Sequence, residues 1–465
     1  MRDTFGYGRY SICTEENWIR ESYRIASDLV ARNRMAMRVT AMTGRRMRRL
    51  AGTILFAAVL LVVWTAIVGG GAREGWWRAM PAAKGDTAGF LRWAEARYAA
   101  ESQGNIAIVL LDRGHVAETF YASHGRPVDS KSLFQVASMS KWITAWGVMA
   151  LVEQHRIDLD APVSRYLTRW HLPPSEFDNN AVTVRRLLAH TAGLTDGLGF
   201  RGFEPGQTLP SVEQELTRAT DTLPGANGIT QVGASPGTSW RYSGGGYLLL
   251  QLLVEEVTHE PFNDAMHRLV FQPLEMKAST FVDPDPAHLV DFYDAGGSKA
   301  VHYKFAALAA ASLYTSAEDM TRFIAAQFPG ENGAPPGRGV LSPAMLETMR
   351  RPQAFLFGIP VWGLGETLYV PNGAGSYVVG HDGNNYPAIN TTARIDPATG
   401  DGILVLETGN ATLAREIGGE WTYWQTGVVG LDTLVMFDLH RILIILASGA
   451  FAILIGSFAW HRRRR

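Results

Sequence analysis

Two stretches of this chain are apolar without interruption, and the apolar positions elsewhere fall into short alternating or helical runs. Leu50 to Val68 and Ile442 to Trp460 contain no charged residue. Each is long enough for a helix to cross the roughly 30 Å hydrocarbon core of a bilayer. A buried core helix is usually shorter and keeps a polar stripe, which neither run has. Between them, Ile106 to Leu111 and Val116 to Tyr121 flank the turn Asp112-Arg113-Gly114 and predict a β-hairpin. Ser138 to Gln154 is apolar nearly all round, the pattern of a buried helix. From Pro162 to Gln327, helical patterns such as Tyr247 to Thr258 and Ala317 to Ala326 alternate with loops rich in Gly and Pro. Strand patterns return at Tyr377 to Val379, Ala388 to Ile395 and Ile403 to Leu406, the last two joined by a turn at Pro397 to Gly400. Strands at both ends with helices between predict an α+β domain: an antiparallel sheet flanked by helices, plus a helical lobe.

The expected organisation is a tail over 1–49, a transmembrane helix over 50–68, a linker over 69–87 and the α+β domain over 88–425. A second linker over 426–441, a transmembrane helix over 442–460 and a short basic tail over 461–465 follow. Met35, Met37, Met42 and Met47 offer alternative starts within or near the first tail, to which no function is assigned. The small residues Gly69 to Ala72 after the first run would also suit a signal-peptide cleavage site, but its length favours an uncleaved anchor.

Charge orients this picture. Arg45, Arg46, Arg48 and Arg49 precede the first run, and Arg462 to Arg465 follow the second. The positive-inside rule places both clusters in the cytoplasm of a bacterial-type plasma membrane and the domain between them on the periplasmic or extracellular side. The net charge of -1 hides an uneven distribution: residues 51–440 carry 27 Lys and Arg against 39 Asp and Glu, a surplus of 12 negative charges. Such a domain is a poor partner for nucleic acid. Cys13 is the only cysteine, so the exported part offers no disulfide or cysteine metal site. With no ionisable residue in either run, the helices read as anchors rather than a transport path.

The candidate chemistry begins at Ser138-Met139-Ser140-Lys141. Three residues apart at a helix start, the serine hydroxyl and lysine amine share one face. Once desolvation lowers its pKa, the lysine can act as the base that the hydroxyl needs to become a nucleophile. The backbone N–H of a serine at a helix N-terminus can also serve an oxyanion. By itself this spacing is common by chance.

Its long-range company is not. Phe134 to Lys141, then Ile157 to Val163, Val182 to Leu194, Pro236-Gly237, Tyr242-Ser243-Gly244, Gln272 to Met276 and Gly380-His381-Asp382-Gly383 stand in the order of the β-lactamase-like serine hydrolases, a family this chain resembles from about Ala88 to Asn410. The resemblance includes class C β-lactamases, D-Ala-D-Ala carboxypeptidases, D-aminopeptidases and esterases. It implies that Ser138 is the nucleophile, that Lys141 and Tyr242 move protons, and that the backbone N–H groups of Ser138 and Asn384 form the oxyanion hole. His381, Gly383 and Gly244 would border the substrate. His190 would pin a loop rather than react. No metal or organic cofactor is implied, and the partner would be a small or peptide-like acyl substrate.

Two departures narrow the expectation. Gly244 replaces an Asn that binds substrate amide in many relatives, and His381-Asp382-Gly383 replaces Lys-Thr-Gly, removing a fixed cation that binds a substrate carboxylate. Asp382 would repel such a carboxylate if it faced the pocket. An esterase or a peptidase of other specificity therefore fits better than a true β-lactamase. The alternative is a weakly active or inactive module that binds cell-wall fragments or β-lactams, supported only by those same two departures. The loops Phe200 to Val232 and Ala354 to Tyr377 are expected to set specificity.

Overall fold

The computed structural model describes residues 15–464 apart from Leu198, Glu331 and Asn332, so Cys13 and Arg465 lie outside the described residues. The chain forms two compact units, one built from the segments up to Gly70 and from His440 onward, the other from Gly71–Leu439.

The larger unit is organised around an eight-stranded antiparallel sheet. Its strands are β1 (Asn105–Asp112), β2 (His115–Ala122), β5 (Ala354–Leu356), β6 (Ile359–Trp362), β7 (Thr367–Pro371), β8 (Tyr377–Asn385), β9 (Ile389–Asp396) and β10 (Asp401–Thr408). The spatial order is β2-β1-β10-β9-β8-β7-β6-β5. A separate pair, β3 (Leu133–Gln135) and β4 (Tyr314–Ser316), lies where the chain enters and leaves the helical lobe.

The run Ile106 to Leu111 is apolar at every position because β1 is covered on both faces. Ile106, Ile108 and Leu110 pack with Phe90 of helix Thr87–Glu101 and Trp421 of helix Leu413–Thr426. Ala107, Val109 and Leu111 join the larger core with Trp142 and Trp146 of helix Ser140–Glu153. A sheet between two helical layers thus carries the first strand, its partner β10 and, three positions along, β8.

Several segments differ from the sequence expectation. Ala354 to Tyr377, expected as a loop, contains β5, β6 and β7. These strands are short and interrupted by Gly358, Pro360, Gly363 and Gly365, so no alternating run is long enough to register. The buried helix starts at Ser140 rather than Ser138, because Ala137–Met139 forms a 3-10 turn first.

Both expected linkers are structured parts of the large unit. Arg78 pairs with Glu420 and with Asp438, the latter at 2.7 Å. The Trp424 indole donates to the Ala83 carbonyl at 2.9 Å, and Val429 N–H to the Arg73 carbonyl at 2.8 Å. Residues 431–438 are helical and run directly into helix Leu439–Arg463.

In the smaller unit, the Leu50 to Val68 run lies within helix Glu15–Arg73 and the Ile442 to Trp460 run within Leu439–Arg463. By length and composition both are apolar enough to cross a membrane, each with mean hydropathy 2.5. Gly449 lets the two helices approach: a Cβ there would fall 2.1 Å from the Trp64 ring, whose Nε1 donates to the Leu446 carbonyl at 3.3 Å.

Candidate active site

The chain reaches Ser138 through a strained turn. Ala137 adopts φ +47°, a left-handed conformation that costs a side-chain-bearing residue on the order of 1–3 kcal/mol. The surroundings hold it there. Val136 N–H donates to the Leu313 carbonyl at 2.9 Å, and the Val136 carbonyl accepts from Thr391 Oγ1 at 3.0 Å. Ser140 Oγ accepts from Leu313 N–H at 3.0 Å and donates to the Ala137 carbonyl at 2.6 Å. In the 3-10 turn that follows, positions three apart eclipse, which brings Ser138 over Lys141.

Lys141 is 2% exposed, and its Nζ lies 3.2 Å from Ser138 Oγ. It also donates to the Ala310 carbonyl at 2.7 Å, and the rings of Tyr242 and Tyr247 approach it with centroids at 5.0 and 5.6 Å. Burial pushes its pKa down to about 7, the charge of Asp196 offsetting only part of that cost. A large fraction of Lys141 is therefore an uncharged amine near neutrality, able to accept a proton.

Tyr242 reaches the same point from the loop before helix Gly244–Thr258. Its hydroxyl makes no hydrogen bond of normal geometry. Burial raises its pKa, partly offset by the Ser138 hydroxyl and the Arg415 charge, so the phenol keeps its proton.

His190, at φ +56°, holds this loop in place. Its Nδ1 accepts from Ser243 N–H at 3.2 Å, its carbonyl accepts from Arg241 N–H at 2.8 Å, and its ring packs on Tyr242 at 4.3 Å. Asp196, which the sequence reading did not single out, completes the support. It accepts from Ser243 Oγ at 2.5 Å and from Gly245 N–H at 2.8 Å at the N-terminus of the helix. It lies two residues beyond the Val182 to Leu194 signature and leaves no signal of its own in the sequence.

β8 supplies the opposite wall. Gly383 must be glycine: a Cβ would lie 2.1 Å from the Val136 carbonyl and 2.3 Å from Thr391 Oγ1. That close approach brings β8 against the Ala137–Met139 turn that carries Ser138. His381 is 2% exposed, and its Nδ1 lies 2.6 Å from the Asp382 carbonyl. A carbonyl can only accept, so Nδ1 carries the proton and Nε2, which has no partner, is an acceptor. Burial and then the Lys141 charge push the His381 pKa down to about 4, so the ring is neutral at neutral pH.

Asp382 borders the cavity, but its charge is compensated. It accepts from Tyr369 OH at 2.9 Å and from Thr392 Oγ1, and pairs with Arg394 at 3.2 Å and Arg415 at 3.5 Å. Burial opposes its ionisation, yet the two guanidiniums hold the carboxyl below its usual range. Arg394 is fully buried and also pairs with Asp432 at 2.9 Å.

A cavity of about 530 Å³ opens over Ser138 and is lined by Tyr242, His381, Gly383 and Asn384 together with Trp240, Trp362 and Leu368. Lys141 lies beneath Ser138 rather than on the cavity surface. Gly244 does not line the cavity; a Cβ there would meet the Phe200 ring at 2.6 Å, so Phe200 occupies the space that a larger side chain would need. The contributions of Arg394, Arg415, Tyr369 and residues 431–436 were not legible, because each depends on long-range packing.

A family model described as Beta-lactamase matches residues 92–427. The chain is 30% identical over 200 residues to esterase EstB of Burkholderia gladioli, covering 39% of this chain but only 46% of that protein. It is 28% identical over 328 residues to penicillin-binding protein 4 of Amycolatopsis lactamdurans, covering 64% of this chain and 79% of that one. Among solved structures, EstCE1, a hydrolase with promiscuous acyltransferase activity, superposes with a TM-score of 0.54 or better, namely 0.57, at 18% identity over 74% of this chain and 98% of its own. The antiparallel sheet, the helical lobe and this match along most of the large unit have one explanation: the chain belongs to the beta-lactamase family of serine hydrolases.

Proposed function

We propose that this protein is a membrane-anchored serine hydrolase that cleaves an ester through an acyl-enzyme on Ser138. The observation that carries the reading is the buried amine of Lys141, 3.2 Å from Ser138 Oγ with its pKa lowered to about 7. Lys141 accepts the hydroxyl proton as Ser138 Oγ attacks the carbonyl. The backbone N–H groups of Ser138 and Asn384 stabilise the oxyanion. Tyr242, still protonated, gives its proton to the departing alcohol as the acyl C–O bond breaks and regains one from Lys141. Water then attacks the acyl-enzyme by the reverse relay and releases the acid.

An ester is favoured over a substrate bearing a carboxylate because the strand beside Ser138 presents neutral His381 and the carboxyl of Asp382 rather than a fixed cation. His381 is neutral, and Arg394 and Arg415 are engaged with Asp382. The basic clusters around Arg46 and Arg462 assign both ends to the cytoplasm and the hydrolase unit to the outer side.

A fluorophosphonate probe should label the full-length protein and fail on Ser138→Ala, with short acyl esters cleaved faster than D-Ala-D-Ala peptides or a chromogenic β-lactam. Equal labelling of both proteins would overturn the nucleophile assignment. Protection in intact cells of a cysteine engineered at Lys131, an exposed site, would overturn the orientation.

A further inference from the structure

The cavity over Ser138 has a rim unlike its floor. The tip and second strand of the β5–β6 hairpin border it, with Leu356, Phe357 and Ile359 to Trp362 in its lining. Leu356 pairs with Ile359, so the connection is the two-residue turn Phe357-Gly358. Both residues have positive φ, +51° and +80°, the geometry of a turn normally built from Asn-Gly. A phenylalanine there is strained and gains nothing from the protein interior: Phe357 is 98% exposed. Val435 and Met436 also line the cavity and contribute further exposed apolar surface at 54% and 41%. Together these side chains make a concentrated apolar edge around an active-site mouth, where scattered single residues would need no explanation.

Chain continuity says what medium that edge meets. Met436 precedes the apolar run beginning at Ile442 by six residues of unbroken helix. Even fully extended, six residues reach no more than about 22 Å, so this wall cannot lie far from the anchoring run. The segment is also fixed to the hydrolase unit, since Asp432 pairs with buried Arg394 and Asp438 with Arg78. In the membrane-anchored reading, a cavity wall six residues from the anchoring run is kept near the bilayer by the chain itself.

Resting on the membrane-anchored hydrolase reading, we propose that the substrate is a long-chain acyl ester held in the bilayer, whose chain enters the cavity between the Phe357 hairpin and the Val435–Met436 wall. The acyl carbon is transferred to Ser138 Oγ, the alcohol leaves with the proton from Tyr242, and water releases the fatty acid. Partition into the bilayer concentrates the ester by about four-fold per methylene around a membrane-anchored enzyme, a gain that acetate lacks.

The test uses the full-length protein in vesicles of dialkyl-ether phosphatidylcholine, which carry no ester of their own, with 4-methylumbelliferyl acetate, butyrate, octanoate and oleate as substrates. The expected result is a kcat/KM for oleate at least 100-fold above that for acetate. The ratio should fall at least ten-fold in Phe357→Ser and in Met436→Ser, with thermal unfolding midpoints within 2 °C of wild type confirming that both variants fold. A ratio near one in wild type, or rim variants that leave it unchanged, overturns the lipid substrate while acetate turnover and Ser138 labelling still stand. Absence of both turnover and labelling overturns the hydrolase reading itself, and the inference with it.

Discussion

In the proposed mechanism Lys141 has to be buried to be a base and hydrogen-bonded to stay where it is. A charged ammonium removed from water is costly, and the protein lowers that cost by letting the proton go: hence a pKa of about 7 where an exposed lysine would sit near 10.5. The sign of the pH dependence follows. Below pH 7 the amine is protonated and cannot accept the Ser138 proton, so kcat/KM should rise through a single ionisation centred near pH 7. His381, neutral above about pH 4, adds no second step in that range. A profile of short-ester hydrolysis between pH 5 and 9 checks this. Lys141→Met should remove the limb and slow acylation by about 10²–10⁴-fold, the usual contribution of a positioned base, measured as the rate of fluorophosphonate labelling. The Ser138–Lys141 pair was legible from spacing and its ordered partners. Asp196 was not, because a carboxylate whose role is to accept from Ser243 and Gly245 leaves no pattern in a single sequence.

At the scale of elements, the site is assembled where a helix start and a strand meet at backbone distance. Gly383 sets that distance. Gly383→Ala would drive a methyl group into the Val136 carbonyl and push β8 away from the nucleophile turn. A displacement near 1 Å at the reacting atoms costs about 10²-fold in rate, so this variant should lose at least that much kcat while still folding; esterase kinetics beside a thermal melt separate the two effects. The sequence predicted β1, β2, β9 and β10 to within two residues at each end, because long runs with one environment per face carry a strong signal. It missed β5, β6 and β7, which are held in place by successive pairing outward from β8 rather than by their own composition, and these strands help to wall the cavity.

Across the whole molecule, the buried guanidinium of Arg394 connects parts that are distant in sequence. From β9 it reaches Asp382 on β8 and Asp432 beside the cavity, and it stacks over the Tyr369 ring of β7 at 3.7 Å. Arg394→Leu would leave the Asp382 carboxylate buried with only Arg415 nearby. A broken buried pair typically costs about 3–5 kcal/mol, which a shift in the denaturant midpoint would register, and loss of the tie to Asp432 should loosen the cavity wall as well. The chain also leaves the large unit through an apolar helix at each end, since Gly71 continues helix Glu15–Arg73 and Leu439 opens Leu439–Arg463. In the membrane-anchored reading the enzyme is therefore moored twice. A single proteolytic cut at either mooring leaves it in place, and its encounters with substrate become a search across a surface rather than through a volume.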